Sequence, residues 1–143
     1  MEIKIKISNG AAPPEYETPG SAGMDIRALL DSPIVLKPGD RALIPTGLFV
    51  EIPIGYEAQI RARSGLAVKY GVALINGVGT IDSDYRGEIQ VGLINLGRDD
   101  FTIKSGDRIA QMVIAAYEKA QWEVVETLTD TERGTGGFGH TGS

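Results

Sequence analysis

Glycine and proline recur at short intervals along this chain, 19 and 7 of them in 143 residues, and the apolar runs between them are short. Such punctuation interrupts helices but suits strands joined by tight turns. Ile3, Ile5 and Ile7 alternate with Lys4 and Lys6, the period of two that marks a half-buried strand with its lysines outward. Further runs follow at Met24–Leu30, Ile34–Leu36, Ala42–Ile44, Leu48–Ile52, Glu57–Ala62, Val72–Ile75, Ile89–Leu96, Phe101–Lys104, Ile109–Ala116 and Trp122–Val125. Turn sequences separate many of them, among them Lys37-Pro-Gly-Asp40, Pro53-Ile-Gly55, Leu96-Gly-Arg-Asp99 and Ser105-Gly-Asp107. Roughly ten strands at this spacing predict an all-β jelly roll, sandwich or barrel.

Two turns echo each other. Lys37-Pro-Gly-Asp-Arg-Ala42 and Lys104-Ser-Gly-Asp-Arg-Ile109 carry the same Gly-Asp-Arg core between apolar flanks. Either the fold contains a local pseudo-symmetry, or Gly-Asp turns are simply common. The loop from Asn9 to Ser21 is rich in Pro and Ala. One short helix is predicted, with Ser64 as its N-cap and Gly71 ending it in the left-handed conformation. Beyond Thr127 the apolar content falls, and five of the eleven residues of Arg133–Ser143 are glycine. Such a tail cannot offset its ordering entropy by burial and should be mobile on its own. The expected organisation is one domain, a β core over 1–126 and a C-terminal arm or flap over 127–143.

Composition narrows the chemistry. At 42% apolar residues the chain can bury a core, so global disorder is unexpected. The absence of cysteine rules out disulfides and thiolate metal sites, and a single histidine makes a structural zinc site implausible. A net charge of −5 argues against bulk nucleic acid as a partner, because affinity for it comes largely from neutralising phosphates. A small polyanion gripped by a few arginines and a metal ion is compatible with that charge. With no apolar signal stretch and no membrane-length apolar run, the expectation is a soluble cytoplasmic protein with no membrane partner.

Four places could bind phosphate or move protons. Arg63-Ser-Gly-Leu-Ala67 sets an arginine fork beside a helix start, whose free N–H groups and dipole favour an anion; an ordinary cap with a surface arginine is the plainer alternative. The segment Asn76–Glu88 offers glycines for close backbone approach, the Asn76 amide for a nucleobase edge, and Asp82, Asp84 and Glu88 as a base or metal contacts; a solvated polar turn is its plainer alternative. Gln111 opens an apolar strand run and could bind a ligand or face solvent. The tail has no Walker lysine, yet its glycines with Arg133, Thr135 and Thr141 could wrap a triphosphate while Phe138 stacks on a base.

Taken in order, five blocks change the weight of each. Ala22-Gly-Met-Asp-Ile-Arg-Ala28, Arg63-Ser-Gly-Leu-Ala67, Asn76 with Gly79-Thr-Ile-Asp-Ser-Asp-Tyr-Arg-Gly87, Gly106-Asp-Arg-Ile-Ala-Gln111 and Arg133-Gly-Thr-Gly-Gly-Phe-Gly139 closely resemble the five motifs of trimeric dUTP pyrophosphatases, at comparable spacing over nearly the whole chain. The resemblance implies a jelly-roll homotrimer whose active sites each draw on all three subunits. It also implies Mg²⁺-dependent hydrolysis of dUTP to dUMP and pyrophosphate, by attack of water on the α-phosphorus. Such an activity keeps uracil out of DNA and supplies dUMP for thymidylate synthesis.

By the same resemblance Asp82 is the general base, and Tyr85 packs on the deoxyribose where a 2′-hydroxyl would sit. Asn76 with the backbone of Gly79, Thr80 and Ile81 reads uracil; Gln90, two residues past Glu88 at a position where the family varies, is a further candidate contact. Arg63, Ser64, Gly65 and Gln111 hold phosphates, and Asp25 sits near the metal, acting through water. Arg133 and the tail through Gly139 close on the γ-phosphate with Phe138 over the base. One departure is visible: the family's tail commonly continues Phe-Gly-Ser-Thr-Gly, whereas here His140 follows Gly139. Two rival readings are a dCTP deaminase of the same fold and a non-catalytic nucleotide-binding β module.

Overall fold

A computed structural model describes residues 1–137. The strands run in chain order as β1 (Lys4–Ile7), β2 (Glu15–Tyr16), β3 (Met24–Arg27), β4 (Ile34–Leu36), β5 (Arg41–Glu51), β6 (Tyr56–Arg61), β7 (Val72–Leu74), β8 (Val78–Ile81), β9 (Ile89–Asn95), β10 (Phe101–Ile103) and β11 (Arg108–Ala116), with the helix α1 (Ser64–Tyr70) between β6 and β7. One sheet has the order β1-β5-β9-β7, a second the order β2-β3-β11-β6-β8, and β10 pairs with β4 as a two-stranded ribbon. Every pairing is antiparallel.

Period-two alternation converts directly into a shared core. In β9, Ile89, Val91 and Leu93 are buried while Gln90 faces out. In β6, Ala58 and Ile60 point inward while Arg61 is exposed. Ile44, Leu48 and Val50 of β5 join Ile26 of β3, Ile109 and Met112 of β11, Leu36 of β4 and Ile103 of β10 in a single apolar cluster. Burying one such side chain contributes about 1.5–3 kcal/mol against the entropy of ordering the chain. Two polar groups lie inside this core, both satisfied. Asn95 donates to the carbonyls of Leu36 and Asp99, at 2.8 Å each, and accepts from the Gly97 N–H. Thr46 donates to the Ile89 carbonyl.

The turn echo is a structural pseudo-repeat. In one copy the Asp40 carboxylate accepts from the Lys37 N–H at 3.0 Å, and in the other Asp107 accepts from Lys104 at 2.8 Å. Gly39 and Gly106 take nearly the same φ, 86° and 87°. The strands entering the two turns, β4 and β10, are hydrogen-bonded to each other.

Several expectations are corrected. The runs Ala42–Ile44 and Leu48–Ile52 form one strand, β5, because a register shift between Pro45 and Leu48 absorbs the break instead of ending the pairing. The expected strand over Trp122–Val125 is not formed; Trp122 and Val124 are exposed, and the segment has no neighbouring strand with which to pair its backbone. In β1 the strand is present, yet Ile5 and Ile7 are exposed along with its lysines. A short strand, β2, lies inside the expected Asn9–Ser21 loop.

The helix matches its predicted extent, but its cap is Arg63, in extended conformation, and Ser64 is the first helical residue. Gly71 ends it with φ 72°, its N–H returning to Ala67. A side chain there would run into the backbone of Gly97, which β9 delivers against the helix end.

Candidate active site

The β8 hairpin and the turn after it build one half of the site. Gly77, at φ 71°, turns the chain from β7 into β8, and the Val78 N–H donates to the Asn76 carbonyl. Gly79 is buried against Ile60 on the inner face, which leaves Thr80 exposed on the outer one. Past Ile81 a tight turn is closed by the Tyr85 N–H donating to the Asp82 carbonyl at 3.1 Å. The Arg86 guanidinium braces it by donating to the carbonyls of Ser83 and Tyr85. A hollow of about 270 Å³ results, lined by Thr80, Ile81, Asp82, Tyr85 and Gln90 together with Leu43 and Glu88. Asn76 and Gln90 line an adjoining hollow with Leu43 and Ile75.

Five sequence-predicted residues thus share one concavity, with Asn76 beside it. Asp82 is exposed at its edge, and the Tyr85 ring is 41% exposed. The Tyr85 hydroxyl donates to the Glu88 carbonyl at 2.9 Å, with the ring lying over Gly87, where any side chain would collide with it. Leu43 was not anticipated. Its exposed position in an apolar strand gave no signal, because only the pairing of β5 with β9 carries it to the hairpin. Glu88, considered from sequence as a base or metal contact, instead spends a carboxylate oxygen on the Gly47 N–H at 2.8 Å.

The other half lies across the five-stranded sheet. Asp25 on β3, Gln111 on β11 and Arg61 on β6 occupy one cross-strand row. The Asp25 carboxylate accepts from Arg63 Nε on one oxygen and from Arg108 Nη1 on the other, both at 3.1 Å. Arg108 also reaches Glu17. The Gln111 amide donates to the Ala62 carbonyl at 3.0 Å, and its oxygen lies against Gly23. Arg63, Ser64 and Gly65 follow directly where β6 gives way to α1. A half-buried carboxylate holding two guanidiniums keeps their remaining N–H donors aimed at fixed points, which suits a polyanion. Arg108 was missed as a site residue, although it stands within the Gly106–Gln111 block; its part is set by the pairing of β11 with β3.

Arg133 lies apart from both halves in its recorded contacts, its Nε donating to the Gly136 carbonyl at 2.8 Å. The expected contacts of Phe138 and Gly139, and the effect of His140, fall outside the described residues. No helix among the described residues is long and apolar enough to cross a membrane.

The two halves do not meet within one chain. Ile81, next to Asp82, pairs with Ala58, whereas Gln111 pairs with Arg61 further along the same strand. Two inter-strand steps and the offset along β6 put the Cα atoms of Ile81 and Gln111 on the order of 15 Å apart.

The deoxyuridine 5'-triphosphate nucleotidohydrolase of Treponema denticola is 58% identical over 99% of this chain and 99% of its own length. The protein of the same name from Finegoldia magna is 54% identical, with the same coverage of both chains. Among solved structures, a Staphylococcus bacteriophage 80alpha dUTPase with dUPNHPP superposes at a TM-score of 0.90 with 27% identity, over 99% of each chain. The jelly-roll expectation holds through that likeness. With the dUTPase family model matching residues 9–142, the chain belongs to the dUTPase family.

Proposed function

We propose that this protein hydrolyses dUTP to dUMP and pyrophosphate, with Asp82 drawing a proton from the water that attacks the α-phosphorus. The observation that carries the reading is the hollow at the β8 hairpin, where an exposed carboxylate stands beside a tyrosine ring and the polar edges of Thr80 and Gln90. Uracil would lie against Asn76 and the Gly79, Thr80 and Ile81 backbone, and the deoxyribose against Tyr85. A pocket built to pair uracil's polar edge rejects cytosine by leaving buried groups unpaired, and thymine by its methyl.

The anion-binding row supplies the phosphate half. Arg63, the Ser64 hydroxyl, the Gly65 N–H and Gln111 are the contacts, with Arg63 held in place by Asp25. The row and the hairpin lie on different strands of one chain, and in this reading a homotrimer completes each site by drawing them from different copies. Arg133, Phe138 and Gly139 act as a flap over the bound triphosphate, which shields the reacting water from bulk solvent.

Asp25 fits a role near Mg²⁺, but through an intervening water. Each of its oxygens already accepts from an arginine, whose positive charge opposes direct contact with a cation, and the remaining lone pairs can accept from a metal-bound water. When bound, the ion neutralises charge on the triphosphate and on the departing pyrophosphate.

Pyrophosphate release should be measured with dUTP, dTTP, dCTP and UTP, with and without Mg²⁺, together with ammonia release from dCTP. Metal-dependent release from dUTP alone is the expected result. Comparable rates on all four nucleotides, or ammonia from dCTP, would defeat the reading.

A further inference from the structure

We propose that Glu88 is a positioning residue for substrate discrimination, anchoring the sugar-facing tyrosine to the bulge of β5. The proposal rests on the reading of Tyr85 as the wall against a 2′-hydroxyl.

The bulge comes first. Pairing of β5 with β9 jumps from Pro45↔Gln90 to Leu48↔Ile89, so Thr46 and Gly47 have no ladder partners. Gly47 takes φ 70°, and a Cβ there would come within 2.7 Å of both Ala11 and Leu29. Side chains do the work of the missing ladder bonds. The Thr46 hydroxyl donates to the Ile89 carbonyl at 2.5 Å and accepts from the Leu48 N–H at 3.3 Å. The half-buried Glu88 carboxylate accepts the Gly47 N–H at 2.8 Å.

Tyr85 is tied to the same residue. Its hydroxyl donates to the main-chain carbonyl of Glu88, so the ring stands where the peptide after Glu88 puts it. The other hydrogen bonds recorded for this turn are local, between Tyr85 and Asp82 and from Arg86 to Ser83 and Tyr85. They shape the turn, whose two ends run directly into β8 and β9. The carboxylate of Glu88 adds a side-chain tie to β5, which runs from a core strand to the pocket wall in two hydrogen bonds. Leu43, on the same strand as the bulge, also lines the hollow. Anchoring Tyr85 to β5 therefore sets the width of the pocket.

The test compares kcat/KM for dUTP and for UTP in the wild type, Glu88→Met, Glu88→Gln, Tyr85→Phe and the Glu88→Met/Tyr85→Phe double variant, with thermal midpoints for each. Met keeps the bulk of the side chain and removes the acceptor; Gln keeps an acceptor oxygen. Glu88→Met and Tyr85→Phe should each reduce the preference for dUTP about tenfold, the scale of one lost hydrogen bond. The double variant should lose no more than either single one, since both act on one linkage. Glu88→Gln should retain the preference. The proposal is overturned if folded Glu88→Met keeps the wild-type preference, if the two losses add, or if Gln is as damaging as Met. Should Glu88→Met not fold, Tyr85→Phe decides: an unchanged preference shows that the hydrogen bond to Glu88 does not hold the ring. A wild-type enzyme that hydrolyses dUTP and UTP equally would fail earlier, at the reading of Tyr85 itself.

Discussion

Replacing Asp82 by Asn separates chemistry from folding more cleanly than any other change at this site. The residue is exposed, and its turn is held by its main-chain carbonyl, which accepts from Tyr85. Among the described residues its side chain makes no hydrogen bond whose loss would loosen the hairpin. The stability change should therefore stay within about 0.5 kcal/mol, the usual range for a surface substitution without a structural partner. The catalytic effect is of another order. A positioned general base contributes roughly 10²–10⁴ in rate, so an amide of the same shape should raise the barrier by roughly 3–5 kcal/mol. Because Asn retains the volume and one acceptor oxygen, nucleotide binding should change far less than turnover. The assay is single-turnover pyrophosphate release from dUTP at saturating Mg²⁺, with a thermal melt of the same preparation. A variant with an unchanged melt and turnover within about threefold of wild type would refute the assignment, because so small a loss lies well below general-base catalysis.

Three further outcomes follow from the same geometry. Among the described residues the apolar core ends within β11, so on removing residues 133–143 the melt should hold while turnover falls at least about a hundredfold, the scale of losing positioned donors around a reacting phosphate. Asp25→Asn leaves Arg63 and Arg108 without their shared anion; it should cost about 1–3 kcal/mol of stability by denaturant titration and raise KM for dUTP. Gly71→Ala forces a β-carbon into a left-handed residue pressed on Gly97 and should cost about 1–3 kcal/mol by thermal melting, with kcat little changed in the protein that remains folded.

What could be read from the sequence divides along a physical line. Patterns carried by neighbouring residues were legible: the short apolar run Ile34–Leu36 is β4 at its full extent, and the paired Gly-Asp turns appear as matched turns on paired strands. Gly71 was legible as a helix end because few other residues tolerate that backbone conformation. Features that depend on long-range pairing were not. Leu43 joins the hairpin pocket and Arg108 joins Asp25 only because β5 meets β9 and β11 meets β3. The β5 bulge is invisible in sequence for the same reason: the Pro45-Thr-Gly47 break looks like the end of a strand, and the strand continues through bonds of Thr46 to Ile89 and of Gly47 to the distant Glu88. Trp122–Val125 shows the converse, a strand-like pattern with no neighbour to pair with.

The separation of the two half-sites has a consequence for how the protein can change. The hairpin proposed to read uracil is held by its pairing with β6 and by the Glu88 contact to Gly47, whereas the proposed anion row is held by Asp25, Arg108 and the start of α1. Their residues share no recorded side-chain hydrogen bond, and they sit on the order of 15 Å apart within one chain. Substitutions in one half should therefore combine with those in the other almost additively, as distant sites without common partners do. Base and sugar selectivity can then be altered at the hairpin without weakening the grip on phosphate. That independence is local to the folded chain; once copies assemble and a nucleotide bridges the halves, the coupling that appears is carried by the substrate.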